Sequence, residues 1–162
     1  MINTKRIIIT LAVLFSATAA YAAVPQDTKI TLERTACLGT CPVYSLTVYA
    51  DGRVEFTGKQ FVTAMGLHKK TVPVKNVEKI LAVADRMHFF DLTGQYNCYT
   101  VTDMPSVNVT ITAAGRTKAV DHYYGCVSLA VQTRLDLVNL KALESTIDKM
   151  AGVSGWLRGS GS

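Results

Sequence analysis

Four cysteines constrain this 162-residue chain more than any other feature. They stand at positions 37, 41, 98 and 126, behind an N-terminus that reads as an export signal. Lys5 and Arg6 supply its positive region. Residues 7–15 form an apolar run broken only by Thr10, and Ala20-Tyr21-Ala22 offers a cleavage site between small residues. The apolar run is shorter than a membrane span requires, and no cysteine stands at the cleavage point to take a lipid. An exported chain with an even number of cysteines is expected to form disulfides. Residues 1–22 are therefore expected to be removed, leaving a periplasmic or secreted protein with no membrane anchor.

Three pairings of four cysteines are possible. Cys37 and Cys41 enclose three residues, one of them Gly39, and such a bend brings their Cα atoms within bonding range. Residues 106–124 read as a hairpin folded about Ala114-Gly115. That register sets Cys126 opposite Asp103, at the open end from which Cys98 also leaves. A bend at Met104-Pro105 would return Cys98 toward it, so the geometry favours 37–41 with 98–126. Loop-closure entropy gives the second bridge about 3.5 kcal/mol and the first about 2 kcal/mol. The longer loop is then a structural staple and the shorter one fixes a turn. A thiol–disulfide role for Cys37 and Cys41 is the competing reading. The pair is not C-x-x-C, and no helix N-terminus follows it to lower a thiol pKa.

Hydrophobic periodicity supplies the architecture. Residues 28–36 alternate, Ile30 and Leu32 on one face against Lys29, Thr31 and Glu33 on the other. Residues 43–49 and 53–57 continue as strands. A two-residue Asp-Gly turn between them would set Val48 against Glu55; a three-residue Ala50-Asp51-Gly52 loop pairs Val48 with Val54 and Leu46 with Phe56. The second register keeps one face apolar and is the one expected. Residues 61–72 have room for a fourth strand broken near Gly66. After Pro73, Val77, Ile80, Leu81 and Ala84 recur at helical spacing, closed by His88-Phe89-Phe90, with His88 as a C-terminal cap. Residues 92–104 lack periodicity and read as a long loop. A final helix is expected from about 128 to 150, with Val131, Leu135, Val138, Ala142, Ile147 and Met150 near one stripe. The fold class is α+β: an antiparallel sheet of about five to six strands, built on two hairpins, with two helices packed on one face. One domain is expected over residues 28–151, between a leader at 23–27 and a flexible tail at 152–162.

The remaining chemistry is sparse. Without residues 1–22 the formal charge falls from +5 to +3, and beyond them Lys69-Lys70 is the one adjacent basic pair. Nucleic acid would ask for a basic stripe with aromatic platforms. His68, His88 and His122 lie far apart with no ligand spacing, so neither a metal nor another cofactor is expected. Asp121 and His122 are adjacent on a strand and point to opposite faces, which rules out direct mutual orientation. His122 falls opposite Val107 on the apolar side, where a packed, hydrogen-bonded histidine is expected. No nucleophile elbow is present, so the chain is not expected to be an enzyme. Asp103, His122, Tyr123 and Tyr124 gather beside Cys126 at the open end of the second hairpin, and Arg34 and Tyr44 flank the cysteine turn. These six are the candidate binding residues.

The run Arg34-Thr-Ala-Cys37-Leu-Gly39-Thr-Cys41-Pro42-Val-Tyr44, with Thr102-Asp103-x-Pro105 and Tyr123-Tyr124-Gly125-Cys126 after it, resembles a family of exported bacterial domains of unknown function. The resemblance spans roughly residues 28–150. Members often carry phenylalanine where this chain has Leu38. It implies an exported domain with no established activity, no known cofactor and no assigned catalytic residues. The expected role is a non-catalytic binding or protein-interaction module for an unknown protein or small molecule in the envelope. Inhibition of an envelope enzyme is an alternative that shares the small stapled format.

Overall fold

The loop at 50–52 closes the first hairpin in the three-residue register. Between β2 (Val43–Tyr49) and β3 (Arg53–Gln60), Leu46 faces Phe56 and Val48 faces Val54. Gly52 sits at φ +83°, and a Cβ there would lie 2.1 Å from the Val72 carbonyl oxygen, so the loop excludes any side chain. The computed structural model describes residues 23–98 and 103–157; the expected signal at 1–22 lies outside the described residues.

Seven strands form one sheet in the order β4 (Gly66–Thr71), β3, β2, β1 (Lys29–Arg34), β6 (Ser106–Ala113), β7 (Arg116–Tyr123), β5 (Gln95–Tyr96). The class is α+β as expected, but the sheet is larger than expected and mixed. The two-residue β5 runs parallel to β7, within the stretch expected to be loop. So short a strand leaves no periodicity in the sequence. It is held from outside itself: Asp121 N–H donates to the Gly94 carbonyl, and the Tyr96 hydroxyl donates to Asp136. The second hairpin takes its expected register, with Val107 opposite His122.

Two helices, α1 (Val74–Arg86) and α2 (Val131–Met150), cover the apolar face. Val77, Ile80 and Ala84 of α1 join Ile30, Leu32, Leu46, Val48, Phe56, Val109 and Ile111 in one core. Met87, not His88, caps α1. His88 follows in a left-handed conformation (φ 54°), donates its backbone N–H to Asp85, and directs an exposed ring toward Asp91. On α2 the buried face is Leu137, Leu140, Leu143, Glu144 and Ile147. Four residues of the expected stripe, Val131, Leu135, Val138 and Ala142, stand on the opposite, exposed side. The face that wins is the bulkier one, three leucines and an isoleucine, and it buries more apolar surface.

Both disulfides pair as the hairpin geometry favoured, Cys37 with Cys41 and Cys98 with Cys126. Two disulfides fit a non-reducing environment. Leu38 N–H donates to the Asp103 carbonyl, which ties the cysteine turn to the segment before β6. At the other end of the sheet, the Asp27 carboxylate accepts N–H bonds from Ala114 and Gly115 at 2.9 and 2.7 Å and fastens the leader to the second hairpin turn. After α2, Val153 is buried and the Trp156 ring lies 5.4 Å from Phe56; residues 158–162 lie outside the described residues. Among the described residues, no helix is long and apolar enough to cross a membrane.

Candidate functional site

One inward rung of the sheet is polar. Reading across it, Tyr96 of β5 pairs with His122 of β7, His122 with Val107 of β6, Val107 with Arg34 of β1, Arg34 with Tyr44 of β2, and Tyr44 with Gly58 of β3. The next inward row is apolar from β7 to β3, through Val120, Val109, Leu32, Leu46 and Phe56, and meets His68 only on the edge strand β4. An imidazole, a guanidinium and two phenols on the core side of a sheet need partners, and α2 brings them.

Three acids of α2 meet the rung in order. Asp136 accepts from the Tyr96 hydroxyl at 2.8 Å. Glu144 Oε1 lies 2.6 Å from His122 Nδ1, and its Oε2 accepts from the Tyr124 hydroxyl at 2.6 Å. Asp148 accepts from Arg34 Nη2 at 3.0 Å and from the Tyr44 hydroxyl at 2.8 Å. From Asp136 to Asp148 the helix rises about 18 Å, and from β5 to β2 the sheet spans four strand spacings, about 19 Å. The two lengths agree, so α2 runs across the strands with one carboxylate per partner.

Arg34 sits at the centre. Its Nε donates to the Tyr44 hydroxyl at 2.7 Å and its Nη1 to the Tyr124 hydroxyl at 3.2 Å, with Glu144 Oε2 3.8 Å away. Burial pulls the guanidinium pKa down, but the oxygens of Tyr44, Asp148 and Tyr124 more than offset it, and Arg34 stays charged. Burial pushes the Tyr44 phenol well above its ordinary value, and Asp148 adds to the rise. Tyr124 is pushed up to about 12, by burial first and Glu144 second. Burial also raises the Asp148 carboxyl, although Arg34 and the Tyr44 hydroxyl pull it back. The Arg34–Asp148 contact itself favours both charged forms, raising the guanidinium and lowering the carboxyl, and at Asp148 burial outweighs it.

Of the six sequence-derived candidates, four converge here: Arg34, Tyr44, His122 and Tyr124. Two do not. Asp103 lies in the loop before β6, at φ 68°, its carbonyl taking the Leu38 N–H. Tyr123 points away from His122, and its hydroxyl accepts from Met104 N–H at 3.2 Å. Asp136, Glu144 and Asp148 escape a reading by hydrophobic stripe, because they lie on or beside the buried face. Their one sequence signal is spacing: acids at i, i+8 and i+12 fall within one broad arc of a helix.

An imidazole against a carboxylate, with a phenol on the second oxygen, has the parts of a general base. Access weighs against that use. His122 is 2% exposed and Glu144 0%, and both oxygens of Glu144 and of Asp148 are engaged from within. The arrangement welds α2 to the sheet. Among the described residues, no three His, Cys, Asp or Glu side chains converge as metal ligands.

A family model described as a domain of unknown function, DUF6438, matches residues 28–151. No curated protein matches the chain.

Proposed function

The chain belongs to the DUF6438 family, and from that premise we propose that it is an exported, non-catalytic interaction module that works outside the reducing cytoplasm. One contrast carries the proposal. The groups equipped for chemistry are turned inward and bonded to one another, while large apolar side chains stand in solvent. Leu38 in the cysteine turn is 83% exposed and Leu129, just before α2, is 94% exposed, with Val127 and Val131 beside it in sequence. Both disulfides lie at that end of the sheet, in the segments that carry these side chains. Large apolar side chains gathered at one end of a sheet fit a surface that meets a partner. A locked loop also loses little entropy on binding.

Turnover and thiol trapping test the proposal together. The disulfide-bonded chain is assayed against ester, phosphoester, glycoside and peptide substrates beside His122→Phe. Equal, background rates are expected. Activity that disappears in His122→Phe would make the buried network an active site. Cys41→Ser, which leaves Cys37 free, is expected to trap no mixed disulfide with envelope proteins; an abundant adduct would favour the redox reading of Cys37 and Cys41.

A further inference from the structure

Helix α2 is apolar on two opposite faces. Its inner face, Leu137, Leu140, Leu143 and Ile147, belongs to the core. Diametrically opposite, Val131, Leu135 and Val138 are 62%, 52% and 65% exposed, and Ala142 is exposed with them. A helix covering one face of a two-layer fold normally turns polar residues to water. Here the centre of the outward face is an apolar strip about 16 Å long.

Spacing identifies the kind of surface. Val131, Leu135, Val138 and Ala142 are separated by four, three and four residues, the repeat of a seam that receives a second helix. The strip is narrow, and the side chains are aliphatic and short. No aromatic ring stands on the exposed side of α2, as a surface lying in a lipid headgroup layer would favour.

Charge identifies the occupant. α2 contains three acids and three bases. All three acids, Asp136, Glu144 and Asp148, bond to the sheet's polar rung. All three bases, Arg134, Lys141 and Lys149, are exposed. Arg134 and Lys141 share one edge of the strip, where Lys141 Nζ also lies 5.1 Å over the Tyr124 ring, and Lys149 closes its far end. Gln132 and Asn139 line the other edge. A second copy docked antiparallel would set Arg134 against Lys141. Docked parallel, it would offer only Asn139 and Thr146 to those bases. Neither arrangement supplies a carboxylate.

We infer that the outward face of α2 is a docking seam for an amphipathic helix of another protein, with aliphatic residues in its centre and Asp or Glu along its edges. The inference rests on the interaction-module reading and names the class of partner. The wild-type, disulfide-bonded chain is titrated with two stapled three-heptad peptides. Both carry Leu and Val at the seam positions; one has Glu at the flanking positions and the other Lys. Fluorescence anisotropy gives affinity, and backbone amide shifts give location. The Glu-flanked peptide is expected to bind at least tenfold more tightly and to shift residues 131–142. Leu135→Asp is expected to weaken it at least tenfold. Arg134→Glu with Lys141→Glu is expected to reverse the preference toward the Lys-flanked peptide. Because Leu135 is exposed and bonds to nothing in the polar network, Leu135→Asp should unfold close to the wild-type urea midpoint.

Equal affinity for the two peptides, or binding of neither, overturns the inference. So does self-association that Leu135→Asp abolishes, which would make a second copy the occupant. Leu135-dependent binding to phosphatidylglycerol–phosphatidylethanolamine vesicles, without peptide preference, would assign the strip to a membrane. Amide shifts confined to another face would remove the seam while leaving the interaction module standing. Substrate turnover lost in His122→Phe would remove the interaction module itself.

Discussion

Glu144 is the residue on which the buried polar chemistry turns, since among the described residues it is the one that holds both His122 and Tyr124. Its removal would leave an imidazole, a phenol and one side of Arg34 without this acceptor in a site that is largely, though not wholly, buried. Glu144→Ala is therefore expected to cost about 3–5 kcal/mol in urea unfolding, and Glu144→Gln less, because one carbonyl acceptor survives. Asp148 carries a pH signature as well. Its folded-state pKa is raised, so above about pH 4 the native state holds a proton that the unfolded chain has released. The stability this supplies is fully present below the ordinary aspartate value and is lost as pH rises through the native one. Unfolding free energy followed from pH 4 upward should show that decline in the wild type, and Asp148→Asn should lack it. Sequence alone singled out Arg34, Tyr44, His122 and Tyr124, as candidate binding residues, because each stands at a marked place, the cysteine turn or the end of a hairpin. Their partners were hidden. An acid on a helix is ordinarily a solvated one, and only the crossing of α2 over the polar rung turns three of them inward.

At the scale of elements, α2 shows why periodicity is not orientation. Two apolar stripes with helical spacing occupy opposite sides of the same twenty residues, and either alone would make a respectable core face. The choice rests on bulk and on the acids, which reach Arg34, His122 and Tyr96 only when the leucine face is inward. Truncation separates the two faces directly. Leu140→Ala is expected to cost about 2–5 kcal/mol, whereas Leu135→Ala should change the unfolding free energy by no more than about 0.5 kcal/mol. Comparable losses at both positions would mean that the outward strip is covered. The first hairpin offered two registers, and its alternation decided between them. Only the three-residue loop keeps Leu46, Val48, Val54 and Phe56 on one face, and the second hairpin follows the same logic. β5 marks the limit of local reading, since two residues held by the Gly94 carbonyl and by Asp136 carry no pattern of their own.

For the whole molecule, the two bridges set the conditions under which this fold exists. Cys98–Cys126 closes a sequence separation of 28 and joins the exit of β5 to the turn that follows β7. Cys37–Cys41 closes a separation of 4 within one loop. Their chain-entropy contributions are about 3.5 and 2 kcal/mol, and because the two loops do not overlap in sequence these unfolded-state terms add. A sum near 5.5 kcal/mol is comparable with the entire stability of many domains, about 5–15 kcal/mol. Fully reduced, the chain should therefore sit close to its unfolding threshold. The measurement is urea unfolding with and without a phosphine reductant, alongside the double variants Cys37→Ser/Cys41→Ser and Cys98→Ser/Cys126→Ser. Loss of the longer bridge is expected to lower stability more than loss of the shorter one, and to release amide protection first in β5, whose remaining hold is the edge of β7 and Asp136. Reduction is expected to reproduce the combined loss. An unchanged midpoint on reduction would mean that the polar rung and the core suffice by themselves, and that the fold has no need of an oxidising compartment. A loss of the expected size would tie the folded state, and with it the exposed seam on α2, to life outside the cytoplasm.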